Sequence, residues 1–240
     1  MGLTAVKSGD KRSKVGEHFK TIGNELSTTK NKLNELSGEI SEAKNANSST
    51  IESVKRVIKG ANDAFEQLIE ALTTLASVTN DSADIGDTAS VGAAVAADEA
   101  SVKTFIEEVK AIIEAAEKSG VKINAGNSGS PVAAGDDKAG AALAKSGAAA
   151  AANSGPNLAE EVSKADPWAM ISKIKDAKID AALVAGNANE AGALATKIDA
   201  ANTGAKSNAD LVAAVALKAM AKGGKFSNAA NKMVQLKPLL

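Results

Sequence analysis

The residues that could do chemistry are few, and their spacing argues against catalysis. A single histidine, His18, stands beside Phe19 near the start of the first helical segment. One histidine in a chain without cysteine supports neither a paired-histidine zinc site nor a histidine–cysteine dyad, and its default reading is a surface side chain. The absence of cysteine also removes disulfides, thiolate catalysis and cysteine-ligated metals. Gly223-Gly224-Lys225 has the look of the end of a phosphate-binding loop. However, Ala219 stands where the first glycine belongs and Phe226 where Ser or Thr belongs. The triplet also follows a helix instead of leading into one, so a helix stop is the better reading. Asp136-Asp137 lacks the alternating oxygen ligands of a calcium loop. Glu107-Glu108 and Glu160-Glu161 are adjacent on helices and point in different directions, which makes them solvated faces and not acid–base pairs. The expectation is a non-enzyme: no catalytic residue, no metal ligand and no cofactor.

Charge narrows the partners. The chain carries 28 basic and 29 acidic residues, for a net charge of −1, so no strong field steers it towards nucleic acid or an acidic membrane. Only Arg12 and Arg56 are arginine, aromatics are 2% of the chain, and there is no tyrosine. Bidentate phosphate recognition and base stacking both lack their usual residues, which argues against nucleic-acid binding. Lysines do gather at the amino-terminal helix: Lys7, Lys11, Lys14, Lys20, Lys30 and Lys32, with Arg12. A polyanion such as a glycosaminoglycan could use Lys7, Lys11, Arg12, Lys14 and Lys20. The competing reading is a solvated helix face, because Asp10, Glu17, Glu25 and Glu35 dilute that field.

The elements that would carry these residues are helical. Residues 1–14 are polar and read as a flexible tether. From Val15 a heptad runs through Phe19, Ile22, Leu26, Leu33, Leu36, Ile40 and Ala43. Ser49 and Glu52 have capping-box spacing, and Ile51, Val54, Ile58, Ala61, Phe65, Leu68, Leu72 and Leu75 give a second long helix. The pair is expected to form an antiparallel hairpin lying against a third element. A third helix is expected from about Ala93 to Ser119. Residues 120–155 are Gly-, Ala-, Ser- and Asn-rich and read as a low-complexity surface excursion, with a short helix over Ala139–Ala152 weakly anchored by Leu143. Asn157 with Glu160 suggests a further cap, and Asp166-Pro167-Trp168 is a strong helix start. Trp168, the one tryptophan, reads as a packing anchor. Glu190–Ala201 and Asn228–Lys237 complete the helices. No segment has convincing period-2 alternation, so the class is all-α, in a single domain over residues 1–240.

One stretch organises the rest. From Leu211 to Leu217 every side chain is apolar, so the helix has no solvent face before Lys218. It is too short, and too interrupted by Lys218 and Lys222, to span a membrane. Ser207 or Asn208 can cap its start, Asp210 complements its positive end, and Gly223-Gly224 stops it. It is expected to be the central helix of a bundle, ringed by the others, with the long heptad hairpin against it.

Four segments then carry a family resemblance. They are V-G-E-H-F-K at 15–20, A-D-P-W-A-M-I-S-K-I-K-D-A at 165–177, D-L-V-A-A-V-A-L-K-A-M-A-K-G-G-K-F at 210–226, and the Gly/Ala/Asn-rich punctuation between them. With them the chain resembles the variable large proteins of relapsing-fever Borrelia, within the variable major protein group. It is also similar to the antigen-switching surface lipoprotein of Lyme-disease spirochaetes. The resemblance implies an elongated helical bundle on the bacterial outer surface. It would be tethered to the outer membrane by a lipid on an amino-terminal cysteine that this sequence does not contain. It implies antigenic variation and immune evasion, with host antibodies as partners. The variable candidates are 80–92, 120–155 and 185–207. The constant antigenic candidate is 208–226, represented by Asp210, Leu211, Val215, Leu217, Met220, Gly223, Gly224 and Phe226. The alternative is an adhesin that binds a host glycosaminoglycan, or a plasma or extracellular-matrix protein, through the lysines or the distal loops. A homodimer through exposed heptad residues is a further expectation.

Overall fold

The computed structural model describes residues 5–7, 9–43, 47–90, 92–199 and 203–228. Among the described residues eight helices follow in order: α1 Arg12–Ser41, α2 Ser48–Val78, α3 Glu99–Lys118, α4 Ala139–Ala144, α5 Ser154–Ser163, α6 Pro167–Lys175, α7 Ala191–Thr196 and α8 Asn208–Met220. Among the described residues there is no sheet, and extended backbone pairs only in isolated bridges such as Val95 with Lys225 and Val132 with Ala205. Of the expected helix over 228–237, all but Asn228 lies outside the described residues.

The two heptads form the expected hairpin, α1 against α2. Lys30 pairs with Glu66 at 3.2 Å and Asn62 donates to Asn34 at 2.6 Å across the seam. The hairpin does not lie along α8, as the sequence suggested. It packs on α3, while α8 is ringed by α3, α5, α6 and α7. Length explains this: α8 has 13 residues, about 20 Å at 1.5 Å per residue, and cannot line helices of 30 and 31 residues. Only the near end of the hairpin, with Phe19, Leu75 and Val78, reaches the core. The far half carries Leu36, Val54 and Val57 exposed.

Local chemistry shifts several boundaries. Asn47, not Ser49, caps α2, accepting from the Ser49 N–H. Residues 93–98 are not helical, because their backbone pairs outward: Val95 N–H donates to Lys225 O and Ala97 N–H to Ala195 O. Asp98 then caps α3 by accepting from Ser101 N–H. Helix α5 starts at Ser154, and the expected cap Asn157 sits inside it, donating to Asp137 O at 2.7 Å. Helix α6 begins as predicted, with Asp166 accepting from Trp168 N–H and Ala169 N–H.

The low-complexity excursion is not soft throughout. Every residue of α4 is buried, and so is every residue of α7. The two are the same device. Each begins Ala-Gly-Ala, each is six residues long, and each ends at a lysine in extended conformation, Lys145 or Lys197. A Cβ on Gly140 would run into the Thr203 carbonyl, and one on Gly192 into the Lys178 carbonyl. Small residues here let backbones approach closely, which substitutes for apolar bulk. Helix α4 stops at Ala144 instead of Ala152 and α7 at Thr196 instead of Ala201, because their last carbonyls pair sideways, Ala144 O with Asp199 N–H and Ala195 O with Ala97 N–H, and Lys145 and Lys197 turn extended; Ile198 is left exposed.

Candidate functional site

Residues 207–228 are the best-defined site in the molecule, and their defining property is concealment. Leu211, Ala213, Ala214 and Leu217 are fully buried; Val215 and Phe226 are nearly so, and Met220 is half-buried. Gly224 is buried, while Lys222 and Gly223 form the exposed corner. The start of α8 is closed by charge and capping. Ser207 accepts from Asp210 N–H at 3.1 Å and donates to the Asp210 carboxylate at 2.6 Å, and Lys173 reaches the same carboxylate at 3.1 Å. Asp210 is 2% exposed, so this ion pair is the compensation its burial requires.

The far end is closed by two buried cations. The sequence places the start of the solvent face at Lys218, yet this residue is fully buried, and its ammonium donates to Leu143 O at 2.5 Å. Burial pushes its pKa down to about 7. Arg12 belongs neither to the flexible tether nor to the polyanion strip that the sequence suggests, because it is buried. Its guanidinium is 1% exposed and donates to Ala219 O at 2.8 Å, Gly224 O at 2.5 Å and Asp81 at 3.0 Å. The Ala83 N–H and the Arg12 guanidinium together hold the Asp81 carboxyl below its usual range. Both cations satisfy main-chain carbonyls near a helix carboxyl end, where positive charge is favoured.

Of the remaining strip, Lys11 pairs with Asp84 at 2.5 Å and Lys14 with Asp10 at 2.8 Å. Only Lys7 and Lys20 are left as exposed cations for which no ion pair is described. The tether is bound over its last residues: Arg12 N–H donates to Ala83 O, Ser13 N–H to Asp81 O, and Ile85 N–H to Asp10 O. Trp168 is not a packing anchor. Asp166 and Pro167 fix the phase of α6 so that Ala169 and Ile174 point inward, and Trp168 is 50% exposed.

Leu143 and Leu194 of the soft segments pack into the core with α8, and segments 80–92 and 120–155 also bond to the concealed segment through the main chain. Asn208 N–H donates to Ser130 O, Ala209 N–H to Ser128 O, and Ser227 N–H to Ala142 O. Ser227 Oγ donates to Gly92 O and accepts from Ala150 N–H. Lys218 to Leu143 O belongs to the same set. A carbonyl or N–H is present whatever the side chain, so these bonds place no demand on side-chain identity in the partner segment.

A cleft of about 730 Å³ lies beside this end, lined by Asp81, Asp98, Ser101, Thr104 and Lys222. Its carboxylates are already engaged, Asp98 in capping α3 and Asp81 on Arg12. Among the described residues, no group of three or more His, Asp or Glu side chains could hold a metal ion. None of the described helices is long and apolar enough to cross a membrane.

The geometry can be set beside known proteins. A family model described as Borrelia lipoprotein matches residues 1–237. The chain is 61% identical over 239 residues to variable large protein 14 of Borrelia hermsii, covering 97% of this chain and 66% of that protein. It is 50% identical over 232 residues to variable large protein 12 of the same organism, covering 96% of this chain and 64% of that protein. The chain thus spans just under two thirds of the length of these curated relatives. Among solved structures, the Lyme disease variable surface antigen VlsE of Borrelia burgdorferi matches with a TM-score of 0.70 and 28% identity, over 94% of this chain and 81% of that one.

Proposed function

The chain belongs to the Borrelia lipoprotein family, and we propose that it is an outer-surface, lipid-anchored antigen acting in antigenic variation and immune evasion. The relatives are named as variable large proteins, and the structural neighbour as a variable surface antigen. The observation that carries the reading for this chain is the pairing of a concealed helix with segments bound to it through main-chain groups. Such segments can change side chains at exposed positions while the concealed helix keeps its packing. Antibodies then meet the changing surface, and residues 208–226 stay out of reach except at the Lys222–Gly223 corner. No step involves a catalytic group.

The test is to sequence the expressed copy of the locus in successive isolates from one infected host. Changes crowding into 80–92, 120–155 and 185–207, with 210–226 fixed, support the reading. Within those segments the buried α4 and α7 should be spared, Gly140 and Gly192 above all. A locus that never changes overturns it. The glycosaminoglycan adhesin loses support from the burial of Arg12 and the pairing of Lys11 and Lys14.

A further inference from the structure

We propose that Arg12 is a latch: it holds the carboxyl end of the concealed segment shut, and it ties that closure to the point where the chain enters α1. Three donors of its guanidinium meet three acceptors on two separate parts of the fold, Ala219 O and Gly224 O on the concealed segment and Asp81 on the α2–α3 connection. Ala219 O is one of the last-turn carbonyls of α8; the chain turns extended at Ala221 and the Lys222 N–H goes to Ser101 Oγ, so the helix does not supply its donor from there. Arginine suits the place because its charge is permanent and its planar fork reaches several oxygens at once.

The remaining contacts of residues 222–228 come largely from one side. Asp98 N–H donates to Lys222 O, Val95 and Lys225 exchange main-chain bonds, and Phe226 N–H donates to Asp87 O. Arg12 closes the other side. It arrives on a strap, residues 10–13, made of the lead-in to α1 and its first two residues, and this strap is itself bound to 81–85 by three main-chain bonds and the exposed Lys11–Asp84 pair. Lifting the strap therefore withdraws the guanidinium, orphans two buried carbonyls and loosens 219–228, which Val95, Asp87 and Ala142 then hold without it, while the α3, α6 and α7 contacts of α8 stay in place. The partner admitted by that opening is an antibody raised against the linear segment. The biological meaning rests on the proposed function, but the latch is tested on the purified protein and stands or falls separately from antigenic switching.

The experiment is native-state hydrogen exchange on the full chain with Arg12→Gln, Arg12→Lys and Lys11→Ala, and with Leu72→Ala as a control that weakens the hairpin elsewhere. The Arg12→Gln variant should exchange at 219–228 at least about ten-fold faster, with α3 and α6 unchanged, because a buried charge-assisted contact is lost locally. An antibody fragment raised against a peptide of residues 210–226 should gain affinity for the folded variant in parallel. Arg12→Lys, which keeps the charge but loses the fork, should fall between, and Lys11→Ala should move the same residues less. If Arg12→Gln does not fold, the same pattern is expected of Arg12→Lys and Asp81→Asn. Unchanged exchange at 219–228, or an equal rise in α3 and α6 or with Leu72→Ala, overturns the latch.

Discussion

Helices α8 and α4 are both buried along their length, for opposite reasons. Helix α8 fills space: Leu211, Val212, Val215 and Leu217 press against α3, α5, α6 and α7. Helix α4, like its copy α7, has Leu as its one large side chain and is buried because Gly140 lets the Thr203 backbone come into contact. One region is held by side-chain bulk and the other by backbone proximity. The difference teaches where change can be absorbed. A bulk-held helix is sensitive at nearly every position, whereas a proximity-held one is sensitive at its small residues and leaves the loops on either side free.

Substitutions can break that comparison, beginning with the harshest. Leu217→Asp places an unpaired charge in a fully buried site and should cost more than about 4 kcal/mol. Circular dichroism should find it unfolded at 37 °C; an unchanged melting temperature would show that bulk at α8 is not what holds the core. Gly140→Val should cost about 1–3 kcal/mol by forcing α4 off the Thr203 carbonyl, a loss that denaturant titration can measure. A valine placed at exposed Ala125 should leave the stability within about 0.5 kcal/mol.

Lys218 sharpens the same contrast through pH. Burial lowers its folded pKa to about 7, below the unfolded value near 10.4. The unfolded chain therefore binds the extra proton between those values, so this group makes stability rise with pH from about 7 to 10 and contributes no slope below that window. Lys218→Met should flatten that rise, and at pH 7 it should cost little, because the lysine's own desolvation is removed with its hydrogen bond to Leu143 O. Melting temperatures at pH 7 and pH 9.5 for both proteins decide the matter. The smallest effect is expected at Trp168. Being half exposed, Trp168→Ala should lose under about 1 kcal/mol, and a loss several times larger would restore it as an anchor.

These regions also differ in how readily the sequence discloses them. Helix α8 was legible because seven apolar residues in succession leave a helix no solvent face, and its Ser207 cap is the one observed. The heptads of α1 and α2, and the Asp166-Pro167 start of α6, were legible for equally local reasons. Burial of α4 and α7 was not, since hydrophobic patterning registers side-chain bulk and is blind to backbone approach. The signal that could have found them is the repeated Ala-Gly-Ala followed at a fixed distance by lysine, at 139–145 and 191–197. Arg12 and Lys218 were misplaced because their partners are main-chain carbonyls 75 to 212 residues away, and carbonyls leave no mark in a sequence. The placement of the hairpin against α3 depended on matching element lengths, which heptads alone do not state.

The most direct test of concealment is the affinity of an antibody fragment, raised against a peptide of residues 210–226, for the folded and the urea-unfolded chain. The account predicts tight binding to the unfolded chain and at least about 100-fold weaker binding to the folded one, since the epitope is available only when the core opens. Equal affinity for both states would mean that the segment is reachable in the native protein, and that concealment is not what residues 207–228 provide.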